Sequence, residues 1–156
     1  MSASRLQSVL VHVAVFAAML VLALPAARGD GTAVTVTEVW ARATPPGARM
    51  GSIYLTLMSA GGDRLLRASV PHAVSPETQI HETVVAHDSN GVERMEMHAV
   101  PSIELPANQA VELKPGGFHL MLTRLKRPLK PGERVRVTLT FERAGRQTVQ
   151  ADVRGL

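Results

Sequence analysis

From residue 33 to residue 153 apolar side chains recur at every second position in short runs, and Gly and Pro break the runs apart. A period of two is the signature of a strand with one buried face. Ala33 to Trp40 (AVTVTEVW) alternates until Thr44-Pro45-Pro46-Gly47, and Ile53 to Met58 (IYLTLM) alternates until Gly61-Gly62. Leu65 to Val70 is closed by Pro71. Gln79 to Ala86 and Val92 to Val100 flank Asp88-Ser89-Asn90-Gly91, a strong hairpin signal. Ala110 to Lys114 runs into Pro115-Gly116-Gly117, and Phe118 to Leu122 follows as a strand. Pro131-Gly132 opens a last pair, Arg134 to Phe141 and Gln147 to Val153, joined at Ala144-Gly145. These nine runs, with no stretch of convincing 3.6-residue period, predict an all-β antiparallel sandwich or Greek-key barrel.

The first 29 residues carry a different pattern. Arg5 precedes an apolar stretch of 16 residues, Val9 to Leu24, interrupted only by His12, and small residues follow at Ala26, Ala27 and Gly29. The stretch falls short of the roughly 20 residues that a spanning helix needs. The small-x-small run Ala27-Arg28-Gly29 fits cleavage after Gly29, so residues 1–29 are expected to be a helical signal peptide and 30–156 a single domain. The mature protein is then exported.

Export changes the charge reading. The chain has 17 Lys+Arg against 13 Asp+Glu, but Arg5 and Arg28 leave with the signal, which reduces a net +4 to +2. The remaining basic residues are dispersed, and one Trp and one Tyr make no stacking platform, so nucleic acid is not an expected partner. The chain contains no cysteine. That removes disulfides, thiolate zinc sites, a cysteine nucleophile and lipid attachment at a cysteine. Any soft metal ligand must be a thioether.

The candidate chemistry lies in histidines and methionines. Outside the signal they are His72, His81, His87, His98 and His119, and Met50, Met58, Met95, Met97 and Met121; most of them fall between Ile80 and Leu122. In Phe118-His119-Leu120-Met121-Leu122 the apolar residues form one strand face. His119 and Met121 share the other, roughly 7 Å apart. On the hairpin, Met95 and Met97 share a face, as do His81, Thr83 and Val85, and a bulge at Asn90-Gly91 is one way to bring the two faces to the same side. Imidazoles with thioethers make a soft, neutral donor set that suits Cu(I) rather than Zn²⁺, Mg²⁺ or Ca²⁺. Without a Cys thiolate the set does not suit a blue-copper electron carrier. Met58 reads as core filling and Met50 as a surface or core residue, and His72, His87 and His98 read as solvated side chains. No acid/base pair or activated nucleophile is evident, so an enzyme is not expected.

The run from Trp40 to Leu125 resembles the periplasmic PCu(A)C copper chaperones. Their hallmark is a His, then a Met, then 21 intervening residues and His-x-Met, and here 21 residues separate Met97 from His119-Leu120-Met121. Ile80-His81-Glu82-Thr83, Trp40-Ala41-Arg42-Ala43 and Gly51 to Leu57 resemble other family segments, and Lys114-Pro115-Gly116-Gly117-Phe118-His119-Leu120-Met121-Leu122 is the most specific. The resemblance implies a cupredoxin-like fold, a Cu(I) site of His81, Met97, His119 and Met121, and delivery toward the copper A centre of cytochrome c oxidase subunit II, beside a Sco-type protein. It implies a periplasmic, monomeric copper chaperone; a copper-sequestering protein is the alternative. One departure bears on the first ligand. The family leaves about ten residues between its first His and the Met, whereas 15 separate His81 from Met97, and His87, with nine residues between it and Met97, is the runner-up. Delivery by ligand exchange also requires a site that a partner can reach, so His119 is expected to be exposed, and a buried His119 counts against delivery.

Overall fold

The computed structural model describes residues 33–87 and 89–155, and the expected signal segment 1–29 lies outside them. The described residues form ten strands: β1 (Val34–Arg42), β2 (Met50–Ser59), β3 (Asp63–Ser69), β4 (Glu77–His87), β5 (Glu93–Ala99), β6 (Ile103–Leu105), β7 (Ala110–Leu113), β8 (His119–Thr123), β9 (Arg134–Phe141) and β10 (Arg146–Arg154). The alternating runs all become strands. The one unforeseen element is β6, a three-residue strand between Pro101 and Pro106, too short to show a period.

Hydrogen bonding links the strands in the order β5-β4-β8-β2-β1-β10-β9-β3-β6, with β7 paired to β2. β3 also packs beside β4 without strand pairing, which folds the sheet over one apolar core. The expected all-antiparallel pairing needs one correction, because β1 and β10 pair parallel, Trp40 opposite Asp152. Parallel neighbours need a long crossover, and here nearly the whole domain separates the first strand from the last.

The core is a stack of strand-to-strand rows. Ile80 lies opposite Leu120, Leu120 opposite Ile53, Ile53 opposite Ala41 and Ala41 opposite Val153, all buried. Residues one step along each strand point outward. The β4–β5 hairpin runs beyond this core: Val85, Met95 and Met97 are exposed large apolar side chains.

A bulge in β1 shapes the outer face. Thr37 pairs with Thr56, yet Trp40 rather than Val39 pairs with Tyr54, so one extra residue is accommodated at Glu38, whose φ is +51°. A bulge switches which side chains face which way. Here it sets Trp40 against Tyr54, with ring centroids 4.5 Å apart, and the Arg154 guanidinium lies 5.4 Å from the Trp40 ring centroid.

Buried Asp63 ties β3 to the β9–β10 turn. Its carboxylate accepts the amides of Arg64 at 2.7 Å, Arg143 at 2.9 Å and Ala144 at 2.8 Å. Burial by itself raises its carboxyl, but the Arg143, Arg64 and Ala144 amides, with the charge of Arg143, hold it below the ordinary carboxylate range. A depressed carboxylate contributes stability above its unfolded value near 4 and loses it as pH falls through the folded value. Asp63→Ala orphans three amide donors and is expected to cost about 2–3 kcal/mol in urea unfolding at pH 7. The gap between variant and parent should narrow below about pH 4.

Candidate metal centre

The outer face of β4, β8 and β2 gathers the polar and soft side chains. Pairing of β4 with β8 sets His81 directly opposite His119 and Gln79 opposite Met121. Directly paired residues share a face, so all four point the same way. The His81 and His119 ring centroids are 5.7 Å apart, and Tyr54 lies 6.4 Å from His119 on the β2 side. Across β4, Thr83 pairs with Met97 and His81 with Ala99. Met97 is therefore the diagonal neighbour of His81 on that same face, within reach of a long side chain.

The hairpin needs no bulge for this. Its ladder is regular from His81–Ala99 to His87–Glu93, and the odd-numbered loop 88–92 alone puts odd residues opposite odd residues. Thus His81, Met97, His119 and Met121 share one sheet face. His87 is on this face too, but six residues beyond His81, roughly 20 Å along the strand, and beside Glu93 at 3.5 Å. The register separates it from the His119 pair. His98 faces the other way, beside Glu96 at 3.3 Å, and His72 is exposed in the turn after Pro71.

Exposure differs sharply among the four. Met97 is 59% exposed and His81 half-buried, whereas His119 is 4% exposed and Met121 9%. The expectation of an exposed His119 is overturned. β8 is an interior strand of the sheet, so its outward side chains are flanked by those of β4 and β2, and the His81 and Tyr54 rings close over His119 from both sides. Met121 does border an open cleft of about 240 Å³, lined also by Arg42, Met50 and Ser52. A larger cleft, of about 480 Å³, lies between β3 and the start of β4 and contains none of the four residues.

Local hydrogen bonds set which ring nitrogens are free. His119 Nδ1 lies 3.1 Å from the Gly117 carbonyl, which can only accept, so Nδ1 carries the proton and Nε2 keeps its lone pair in the neutral ring. The same carbonyl accepts the Thr83 amide at 3.2 Å. The Pro-Gly-Gly turn presents it, with Gly116 at φ +81°, a conformation that favours glycine. His81 Nε2 lies 2.8 Å from Gln79 Oε1, and His81 Nδ1 is buried without a hydrogen-bond partner. A buried polar atom without a partner is costly, and a metal ion is one way to satisfy it. Burial first, then the nearby His119, lowers the pKa of His81 and favours the neutral ring that a metal requires. Among the described residues no three His, Cys, Asp or Glu side chains converge. A cation held here by several protein ligands would take thioethers as well as imidazoles, and that donor set fits a soft ion.

Comparison with known proteins places the chain in a family. Residues 34–153 match the family described as "Putative lipoprotein LpqE-like", and the chain belongs to it. A protein of Leifsonia xyli subsp. xyli, "Putative lipoprotein Lxx21020", is 31% identical over 130 residues, covering 83% of this chain and 74% of the relative. Among solved structures, apo-DR1885 from Deinococcus radiodurans is 31% identical, with a TM-score of 0.58 and 83% of each chain covered. Its CuI form is 30% identical, with a TM-score of 0.55, covering 83% of this chain and 81% of that one. The copper-bound PCuAC domain from PmoF2 has a TM-score of 0.63, covering 82% and 95%, and at 23% identity it speaks for the fold alone. The fold is thus the cupredoxin-like one implied by the PCu(A)C resemblance, while the matching family carries a different name.

A lowered histidine pKa has a definite sign. Between the folded value of His81 and the unfolded value near 6.5 the unfolded chain binds the extra proton, so stability falls with pH in that window and is fully present above it. Thermal unfolding between pH 7 and pH 5 should show the metal-free parent losing Tm more steeply than His81→Leu. Parallel curves would mean that the fold does not favour neutral His81.

Proposed function

We propose that this protein is an exported copper carrier that holds one Cu(I) between His81, Met97, His119 and Met121 and passes it to a receiving protein. The observation that carries this reading is the His81–His119 pairing, with Met121 and Met97 on the same face and a buried imidazole nitrogen lacking a partner. Two neutral imidazoles and two thioethers stabilise Cu(I) without placing net negative charge in a half-buried site. The CuI-bound and copper-bound structures of similar fold support the choice of metal. The names of the family and of the relative support an envelope location, and the periplasm is the compartment proposed. The 156 residues contain no cysteine, so none of them can carry a cysteine-linked lipid.

The acceptor proposed is the copper A centre of cytochrome c oxidase subunit II, with a Sco-type protein acting alongside. Buried His119 bears against a partner seizing the metal at that ligand. Exposed Met97 offers the alternative route: its thioether is displaced first, and the ion leaves from the hairpin side. The burial of His119 also favours a second reading, in which the protein sequesters copper and does not hand it on.

Anaerobic Cu(I) titration against a chromophoric chelator should give one equivalent for the parent. His119→Ala and Met121→Ala should each weaken binding at least tenfold, with His87→Ala unchanged. No competition by the parent, or unchanged binding in both variants, would end the copper reading. Mixing the loaded protein with a soluble copper A domain separates the two roles: metal transfer supports delivery, and retention supports sequestration. Met97→Leu, which lacks the thioether to be displaced, should weaken binding and speed transfer.

A further inference from the structure

The outer face carries a polar chain that the four candidate ligands leave unexplained. Glu77 Oε2 accepts from Thr123 Oγ1 and Arg124 Nη2, both at 3.1 Å, which pins this carboxylate at the strand end. Its other oxygen, Oε1, accepts from Gln79 Nε2 at 2.8 Å. Gln79 Oε1 in turn lies 2.8 Å from His81 Nε2. Glu77, Gln79 and His81 are alternate residues of β4, so the chain runs along one face of one strand.

The donor chemistry gives this chain a direction. An ionised carboxylate only accepts, so the Gln79 group facing Glu77 must be its amide NH₂. The Gln79 oxygen is thereby turned toward His81, and it too can only accept. His81 Nε2 must then be the protonated nitrogen, leaving the lone pair on Nδ1, the atom that is buried without a partner, in a ring whose centroid lies 5.7 Å from that of His119. A Gln79 free to rotate would offer NH₂ or oxygen equally and would choose neither tautomer.

We infer that Gln79, oriented by Glu77, is a positioning residue that fixes the His81 tautomer so that Nδ1 is the metal-facing nitrogen, while His119 offers Nε2. This rests on the copper site proposed above. The two imidazoles then meet the ion through different ring atoms because different neighbours hold them: a side-chain amide on β4 for His81, and the Gly117 carbonyl for His119. Partners that orient a metal-binding histidine typically contribute a factor of 10–100 in affinity.

The test compares the parent with Gln79→Leu, which cannot accept a hydrogen bond, and Gln79→Glu, which can. Long-range ¹H–¹⁵N correlation spectra of the metal-free protein at pH 8 should show His81 protonated at Nε2 in the parent and in Gln79→Glu. Mixed tautomers are expected in Gln79→Leu. One equivalent of Cu(I) should shift Nδ1 of His81, and Gln79→Leu should bind Cu(I) about tenfold or more weakly. A parent His81 protonated at Nδ1, Cu(I) bound through Nε2, or unchanged tautomer and affinity in Gln79→Leu would overturn the assignment. Absence of Cu(I) binding in the parent would instead overturn the copper reading and the metal-facing role with it. The metal-free spectra would still decide whether Gln79 sets the ring.

Discussion

The pairing of β4 with β8 is the constraint on which the site depends. In that one register Ile80 meets Leu120 in the core and His81 meets His119 on the outer face. The two facts are inseparable, because a one-residue slip of β4 would turn His81 inward and Ile80 outward while β8, held by β2, kept its facing. The core row Ile80–Leu120–Ile53–Ala41 therefore fixes the register that sets the imidazole pair side by side. Burial of those apolar side chains is the larger free energy, and the site inherits its register from it.

Around that pair the molecule grades from covered to open. His119 sits on an interior strand, its ring anchored to the Gly117 carbonyl and flanked by Tyr54 and His81. Met121 borders a cleft, His81 is half-buried, and Met97 stands exposed on a hairpin that extends past the core. A candidate site built this way has a covered floor and an exposed rim. Thioethers suit the rim, since Met is unbranched and adaptable and its sulfur carries no charge to desolvate. The bulge at Glu38 finishes the floor by bringing Trp40 against Tyr54.

The electrostatics follow the same division. Cu(I) needs neutral imidazoles, and the half-buried position of His81 favours the neutral ring. The carboxylates near the ligands act at a distance: Glu77 reaches His81 only through Gln79, while Glu93 and Glu96 lie beside His87 and His98. The candidate donor set is thus neutral and soft, whereas a carboxylate among the donors would shift preference toward harder cations.

Most of the strands were legible in the sequence, because a half-buried strand writes its period of two directly into the order of apolar residues. The sharing of a face by His119 and Met121 followed from that period alone. β6 escaped because three residues carry no period, and the parallel β1–β10 pair escaped because strand neighbours across a whole domain leave no local mark. Which of His81 and His87 lies beside His119 was not in the spacing: the β4–β8 register sets His81 against His119 and leaves His87 far along the hairpin. The odd loop length, and no bulge, put Met97 on that face. The burial of His119 was hidden for a related reason. Alternation shows which side of a strand a residue faces, but only the neighbouring strands, and the rings they carry, decide whether that side meets water. The sequence by itself determined the alternating strands, the donor types and the absence of a thiolate; the tertiary structure alone decided which candidate donors share a face and which are covered.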